Sequence, residues 1–307
     1  MTERAPVKRK MSMNGFLDPS LVVRHAPVSS LDLTGKSLAV VGGTDGLGRA
    51  IARLAAARGA RVVVVGRTFR DEGTPGLTFL KADLSSMREA VRVGRELDPS
   101  LDAVVLTTGI IAAKVREVTA EGIERDMAIS YLSRFAIVRE LAPRLAARPA
   151  GSPAPRVFVM GFPGTGQLGD AGDLNAERSY DAMAVHMNTV AGNEMLVLDG
   201  ARRHPGVSFF GLNPGLIKTI IRANFLGAGS FKHRAAEWLI GLMMPTAEQY
   251  AERVVPLLLA PELEGRSGAM FGKKGTAILP SEGIDETHVA GFIEASEALL
   301  ERALAQA

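Results

Sequence analysis

The sequence predicts an α/β protein, a single domain in which a doubly wound parallel sheet lies between two layers of helices. Three observations carry that expectation. From residue 37 onward, short apolar runs alternate with longer helical stretches, the signature of strand–helix–strand units. Residues 62–65 are four consecutive valines, as suits a strand covered on both faces rather than one with a wet side. Glycines at 42, 43, 46 and 48 stand between the first apolar run and the first helical one, where a tight strand-to-helix turn belongs.

The elements follow in order. Strands are expected at 37–41, 61–65, 77–80, 103–107, 156–160 and 207–212, and helices at 47–58, 86–97, 120–147 and 180–203. A Gly/Pro loop runs through residue 172, in which Asp170 and Asp173 read as turn formers. Residues 222–244 gather Phe225, Phe231, Trp238 and Leu239 with glycines at 227, 229 and 241. They suit a hinged lid over an apolar substrate, with an ordinary core helix as the alternative. Thr246 caps a helix at 246–259, residues 268–271 read as the last strand, and 285–305 as a C-terminal amphipathic helix. Residues 1–34 mix Pro6, Pro19 and Pro27 with Gly15 and hold no period. They are expected to form a tail, or an arm docked on another surface, ahead of a domain spanning 35–307.

Composition narrows the function. The chain of 307 residues is 47% hydrophobic and 22% charged, ordinary for a soluble globular protein. Its net charge of +3 resides in the first ten residues, where Arg4, Lys8, Arg9 and Lys10 face Glu3 alone. The balanced body argues against nucleic acid as a partner, because phosphate binding needs clustered positive surface. With no cysteine, disulfides, thiol nucleophiles and thiolate metal sites are excluded, and no metal is expected. The N-terminus lacks the apolar core of a secretory signal, and no run approaches the roughly 18 apolar residues of a membrane helix. A cytoplasmic protein without membrane association is the expectation.

The first strand runs into Val41-Gly42-Gly43-Thr44-Asp45-Gly46-Leu47-Gly48. Gly42 permits the turn, Gly46 lets backbone approach a pyrophosphate, and Gly48 lets helix and strand pack closely, while the helix N-terminus offers free N–H groups. This G-x-x-x-G-x-G spacing resembles that of the short-chain dehydrogenase/reductase family, with Val41 in the place of the usual threonine. The resemblance extends over about residues 36–271 and implies a Rossmann-type nucleotide-binding fold. It assigns Gly42, Thr44, Asp45, Gly46, Leu47 and Gly48 to the cofactor. Gly66-Arg67 ends the second strand where NAD-preferring members carry an acid; Arg67 suits a 2′-phosphate, with Gly66 leaving room and Arg49 able to lend a second charge. NADP(H) is therefore the expected cofactor, a solvated strand-end arginine being the alternative. The resemblance also places Asp83 and Leu84 at the adenine, Thr108 and Gly109 at a ribose, and Pro214, Gly215 and Thr219 at the nicotinamide.

The family reduces carbonyls with an Asn-Ser-Tyr-Lys set, its tyrosine and lysine spaced Y-x-x-x-K so that both share one helix face. Counting from Gly109 and from Pro214-Gly215 puts three of the places at Ser130, Ala184 and Asn188, and the serine place, after the strand at 156–160, reads Gly161-Phe162; all four are substituted. Tyr131, Tyr180 and Tyr250 are the only tyrosines, and none has a lysine four residues later. The candidates left for catalysis are Tyr180, if the helix starts early enough to hold it; His186; Asn188, for a ribose hydroxyl; and Ser130. Rim, packing and space-filling roles are their plain alternatives. Two functions are open: an NADP(H)-dependent oxidoreductase with a non-standard site acting on a hydrophobic carbonyl or enone, or a non-redox cyclase, isomerase or nucleotide-sensing protein that keeps the pocket. By resemblance, the helices at 120–147 and 180–203 would form the face of a homodimer or tetramer.

Overall fold

The computed structural model describes residues 15–24, 26–149, 151–215 and 245–306. The lid segment 222–244 and Thr219 lie outside them, as do the ten basic-rich N-terminal residues.

Among the described residues eight strands form one sheet: β1 (Ser37–Val41), β2 (Arg61–Gly66), β3 (Leu77–Lys81), β4 (Ala103–Leu106), β5 (Arg156–Met160), β6 (Ser208–Leu212), β7 (Met270–Phe271) and β8 (Ala277–Ile278). Their spatial order is β3-β2-β1-β4-β5-β6-β7-β8, parallel throughout except for β8. The chain reverses direction across the sheet between β1 and β4, opening the crevice at their C-terminal ends where such sheets bind ligands. Strand alternation sends successive side chains to opposite layers. Leu38 and Val40 of β1 enter one core with Ile51, Phe158, Phe210 and Tyr250, while Ala39 and Val41 enter the other with Tyr131, Phe135 and Phe292. Burial of each such aromatic contributes roughly 1.5–3 kcal/mol.

Among the described residues the helices are α1 (Gly46–Ala57), α2 (Met87–Glu96), α3 (125–146), α4 (Ala182–Arg203), α5 (Ala247–Leu258) and α6 (Glu286–Ala305). The expected helix at 120–147 starts later than its pattern suggests. Gly122, at φ +74°, turns the chain back so that Val118 bridges Glu124. Glu124 then caps α3, accepting from the Met127 N–H at 2.7 Å. α3 runs from Arg125–Met127 through a wider π turn at Ala128–Leu132 into Ser133–Ala146. α4 likewise starts after Tyr180, because Asp181 caps it by accepting from the Ala184 N–H. A strand not anticipated, β8, returns antiparallel to β7 through a turn at Gly275. Leu17 of the N-terminal arm bridges its Ile278, so part of that arm extends the sheet edge.

α6 lies across α3 and α4. Phe292 is fully buried edge-on to Tyr131 at 5.8 Å, the Tyr131 hydroxyl bonds Ser296, and Arg139 pairs with Glu297. α6 thus covers part of α3 and α4 within the chain. Among the described residues no helix is long and apolar enough to cross a membrane.

Candidate active site

The glycine turn has the geometry its spacing implies. Gly42, at φ +85°, donates its N–H to the Val65 carbonyl at 2.9 Å, and a β-carbon there would stand 2.7 Å from the Thr108 nitrogen. A β-carbon on Gly48 would meet the Gly42 carbonyl oxygen and Thr107 Oγ1, each at 2.4 Å, so α1 is seated on β1 by the absence of a side chain. Gly46, at φ +51°, has nothing within 4 Å of its β-carbon position, and the chain there is open for a ligand to approach. Asp45 caps α1, accepting from the Gly46 N–H, and its carboxylate is offset by Arg70 at 2.9 Å. This turn fits a dinucleotide: backbone amides and a helix N-terminus for phosphates, with a bare α-carbon facing them.

Around it, the expected cofactor residues divide. Arg67 is exposed and has no ion pair among the described residues. Arg49, the expected second charge, is instead committed to the buried Asp71, at 2.7 and 2.8 Å, which Arg53 also contacts. The room beside Gly66 is likewise taken: its β-carbon position lies 2.7 Å from Thr44 Oγ1 and Cγ2, so that glycine serves Thr44. Asp83 accepts from the Ser85 N–H and hydroxyl at the turn after β3, beside the buried Leu84. Gly109 follows Thr108 at the end of β4, its β-carbon position 3.7 Å from Ser130 Oγ. Gly215, at φ +68°, follows Pro214 and donates its N–H to Asn213 Oδ1.

The catalytic candidates separate more sharply. Tyr180 precedes α4, and its hydroxyl donates to the Ala113 carbonyl at 2.5 Å; burial pushes this phenol up. It ties a loop rather than reaching along the helix. Asn188 is engaged by the loop after β5: its amide accepts from the Asp170 N–H and donates to the Asp170 carbonyl, under Gly169. Ala184 is exposed. Residues two apart on a helix lie about 200° apart around its axis, and the residue on this turn that reaches Asp126 of α3 is His186. Its Nδ1 donates to Asp126 Oδ2 at 2.7 Å. Asp126, fully buried, also accepts from the Ser130 hydroxyl, while Ser130 Oγ accepts from the Ile110 N–H at 3.0 Å. Ser130 lies within the π turn of α3.

Three site residues went unseen in the sequence: Asp126, Arg134 and Asn193. Arg134 lies within the apolar run 127–138 and is buried, donating to the carbonyls of Met160 and Thr108 and to Asn193 Oδ1. Burial lowers its guanidinium to about 9, against the opposing pull of Asp126. Asn193 donates to the Ser130 carbonyl at 2.9 Å. Together they lock the ends of β4 and β5 to α4. An arginine inside an apolar run was the available signal for this network; the Asp126–His186 contact, sixty residues apart, left none.

Comparison with known proteins agrees with this architecture. A family model described as short chain dehydrogenase matches residues 36–153. An uncharacterized oxidoreductase of Saccharomyces cerevisiae is 47% identical over 293 residues, covering 94% of this chain and 95% of the yeast protein. Retinol dehydrogenase 14 of Mus musculus is 27% identical over 299 residues, covering 87% and 86% of the two chains. Among solved structures, a 3-oxoacyl (acyl-carrier-protein) reductase from Agrobacterium tumefaciens with NADP bound is 20% identical, with a TM-score of 0.58 over 84% of this chain and 97% of that one.

Proposed function

The chain belongs to the short-chain dehydrogenase family and is an oxidoreductase of that type, and we propose on that premise that it uses NADP(H) to reduce a hydrophobic carbonyl or enone. When bound, the dinucleotide supplies a hydride from its reduced nicotinamide. The chain's part is to hold it, and the observation that carries the reading is the glycine turn, closed on itself at Gly42 and Gly48 and open at Gly46. The amides at the start of α1 take the pyrophosphate. Asp83 and Leu84 would meet the adenine, Thr108 and Gly109 a ribose, and Pro214 and Gly215 the nicotinamide.

The preference for the 2′-phosphate rests on Arg67, exposed at the end of β2 and free of ion pairs among the described residues. The apolar character of the substrate is supported by Val115, Leu168 and Met183, large exposed side chains on the segments after β4 and β5 and at the start of α4. The mouse relative's name, a retinol dehydrogenase, points the same way.

Fluorescence titration with NADPH and NADH tests the cofactor. NADPH should bind more tightly, and Arg67→Ala should weaken it by roughly 10- to 100-fold, the worth of a charge-assisted contact, while leaving NADH unchanged. A screen of hydrophobic ketones and enones for NADPH oxidation tests the chemistry. Equal affinity for the two cofactors in wild type would remove the basis for Arg67.

A further inference from the structure

We propose that His186 exchanges the proton with the substrate's carbonyl oxygen, and that buried Asp126 and Ser130 are the positioning residues that aim it; this rests on the oxidoreductase reading above. Asp126 is completely buried, where an unpartnered carboxylate is costly, and its side chain meets two groups. Oδ1 accepts from Ser130, and Oδ2 accepts from His186 Nδ1 at 2.7 Å. Arg134 adds a fixed positive charge to this buried neighbourhood. A carboxylate only accepts, so Nδ1 carries the hydrogen and Nε2 is the nitrogen left for exchange. Nε2 has no hydrogen-bond partner among the described residues, and the side chain is 20% exposed.

The placement is as informative as the pairing. Ser130 holds the Ile110 N–H just past the end of β4. Thr108, two residues earlier, is the backbone against which Gly42 of the cofactor turn is pressed. One strand end therefore links the proton-carrying group to the turn that holds the dinucleotide. A histidine that merely packed would not need a buried carboxylate on one nitrogen and an open path at the other.

The step balances. As hydride adds to the carbonyl carbon, the π pair of the C=O bond moves onto oxygen. The Nε2–H bond of the imidazolium breaks and its proton goes to that oxygen. The hydride is what a bound reduced dinucleotide would supply, and His186 is left as a neutral ring that regains its proton from solvent. In the reverse direction the neutral ring takes the hydroxyl proton.

The test uses the full chain, NADPH and an aromatic α-diketone as probe. His186→Gln should lower kcat by about 100- to 1,000-fold, with KM and the NADPH titration unchanged within about threefold. Ring nitrogen NMR gives a readout that needs neither cofactor nor turnover: the neutral His186 ring should hold its hydrogen on Nδ1 in wild type and on Nε2 in Asp126→Asn, where the amide can donate to Nδ1. Ser130→Ala, a milder change, should keep the wild-type tautomer and lower kcat about tenfold. Undiminished kcat in His186→Gln, or an unaltered tautomer in Asp126→Asn, overturns the proposal. If wild type binds neither NADPH nor NADH, the oxidoreductase reading fails first, and the proton role with it; titration of the unmutated chain separates that case from the others.

Discussion

Replacing Gly48 with alanine tests whether α1 is seated on β1 closely enough to require a bare α-carbon. The added β-carbon would stand 2.4 Å from the Gly42 carbonyl oxygen and 2.4 Å from Thr107 Oγ1, against a comfortable separation of about 3.5 Å. Neither partner yields freely. Thr107 Oγ1 donates to the Val41 carbonyl at 2.8 Å, and the Gly42 N–H is bonded to Val65. Overpacking against backbone therefore falls near the upper end of its usual range, about 3 kcal/mol. Better helix propensity returns somewhat less than about 1 kcal/mol, leaving a net loss of about 2 kcal/mol. For a chain of this size that is a drop in Tm of about 3 °C. Because relief requires moving the Gly42 carbonyl, NADPH affinity should fall at least about tenfold, equivalent to 1.4 kcal/mol. Calorimetry and fluorescence titration read the two effects. Thr107→Ala in the same chain should recover part of the loss, since it removes one of the two colliding atoms. An alanine at 48 with unchanged Tm and unchanged NADPH affinity would refute the close-packing argument.

Three further outcomes follow. Burial, with Arg139 and Arg203 nearby, holds the His204 imidazole below its ordinary 6.5; the folded state binds that proton less well than the unfolded chain, so stability is full above 6.5 and is lost as the pH falls toward the depressed value. Urea midpoints at about pH 5 and about pH 8 should differ in that sense, and His204→Gln should shrink the difference. Thr246 and Gln249 form a reciprocal cap on α5, and Thr246→Ala should cost about 1 kcal/mol in chemical denaturation. Phe292→Ala should cost about 3–5 kcal/mol and, by loosening α6 from Tyr131 on α3, raise self-association in sedimentation above that of wild type.

What the sequence reveals about this molecule depends on whether the information is local. The strands of the main sheet are legible because β-branched residues crowd short runs, and the glycine turn because backbone needs are written one residue at a time. Asp285 and Thr246 mark two helix starts for the same reason. The rotation of α4 is not legible. A helix reveals its phase through an apolar stripe, and Asn188–Val197 is buried on every side, so no stripe exists to read. On the assignment proposed above, counting from a distant landmark falls two residues short, reading Ala184 and Asn188 where His186 and Val190 hold the two places. Asp126 is hidden differently: among Glu124 and Arg125 it looks like one more solvated charge, and only the folded chain brings its histidine to it.

A histidine in place of a phenol changes what the rest of the site must supply. A phenol, near pKa 10, gives up a proton at neutral pH only when a neighbouring cation stabilises its anion. That is the service the family's lysine performs four residues after its tyrosine. An imidazolium is already a cation, and what it needs is an anion to hold the ring. On the proposed assignment the two substitutions belong together: four residues after His186 stands Val190, buried and uncharged, and the charged neighbour is the carboxylate of Asp126. A cation at 190 would oppose the protonated ring. Val190→Lys in the wild-type chain should therefore lower carbonyl reduction. In a His186→Tyr background the same lysine should raise it, because it now meets a phenol. The pair of kcat ratios, measured with Tm to show that both chains are folded, gives opposite signs if His186 and Val190 occupy the two family positions. A lysine at 190 that acted with the same sign in both backgrounds would place the proton donor elsewhere.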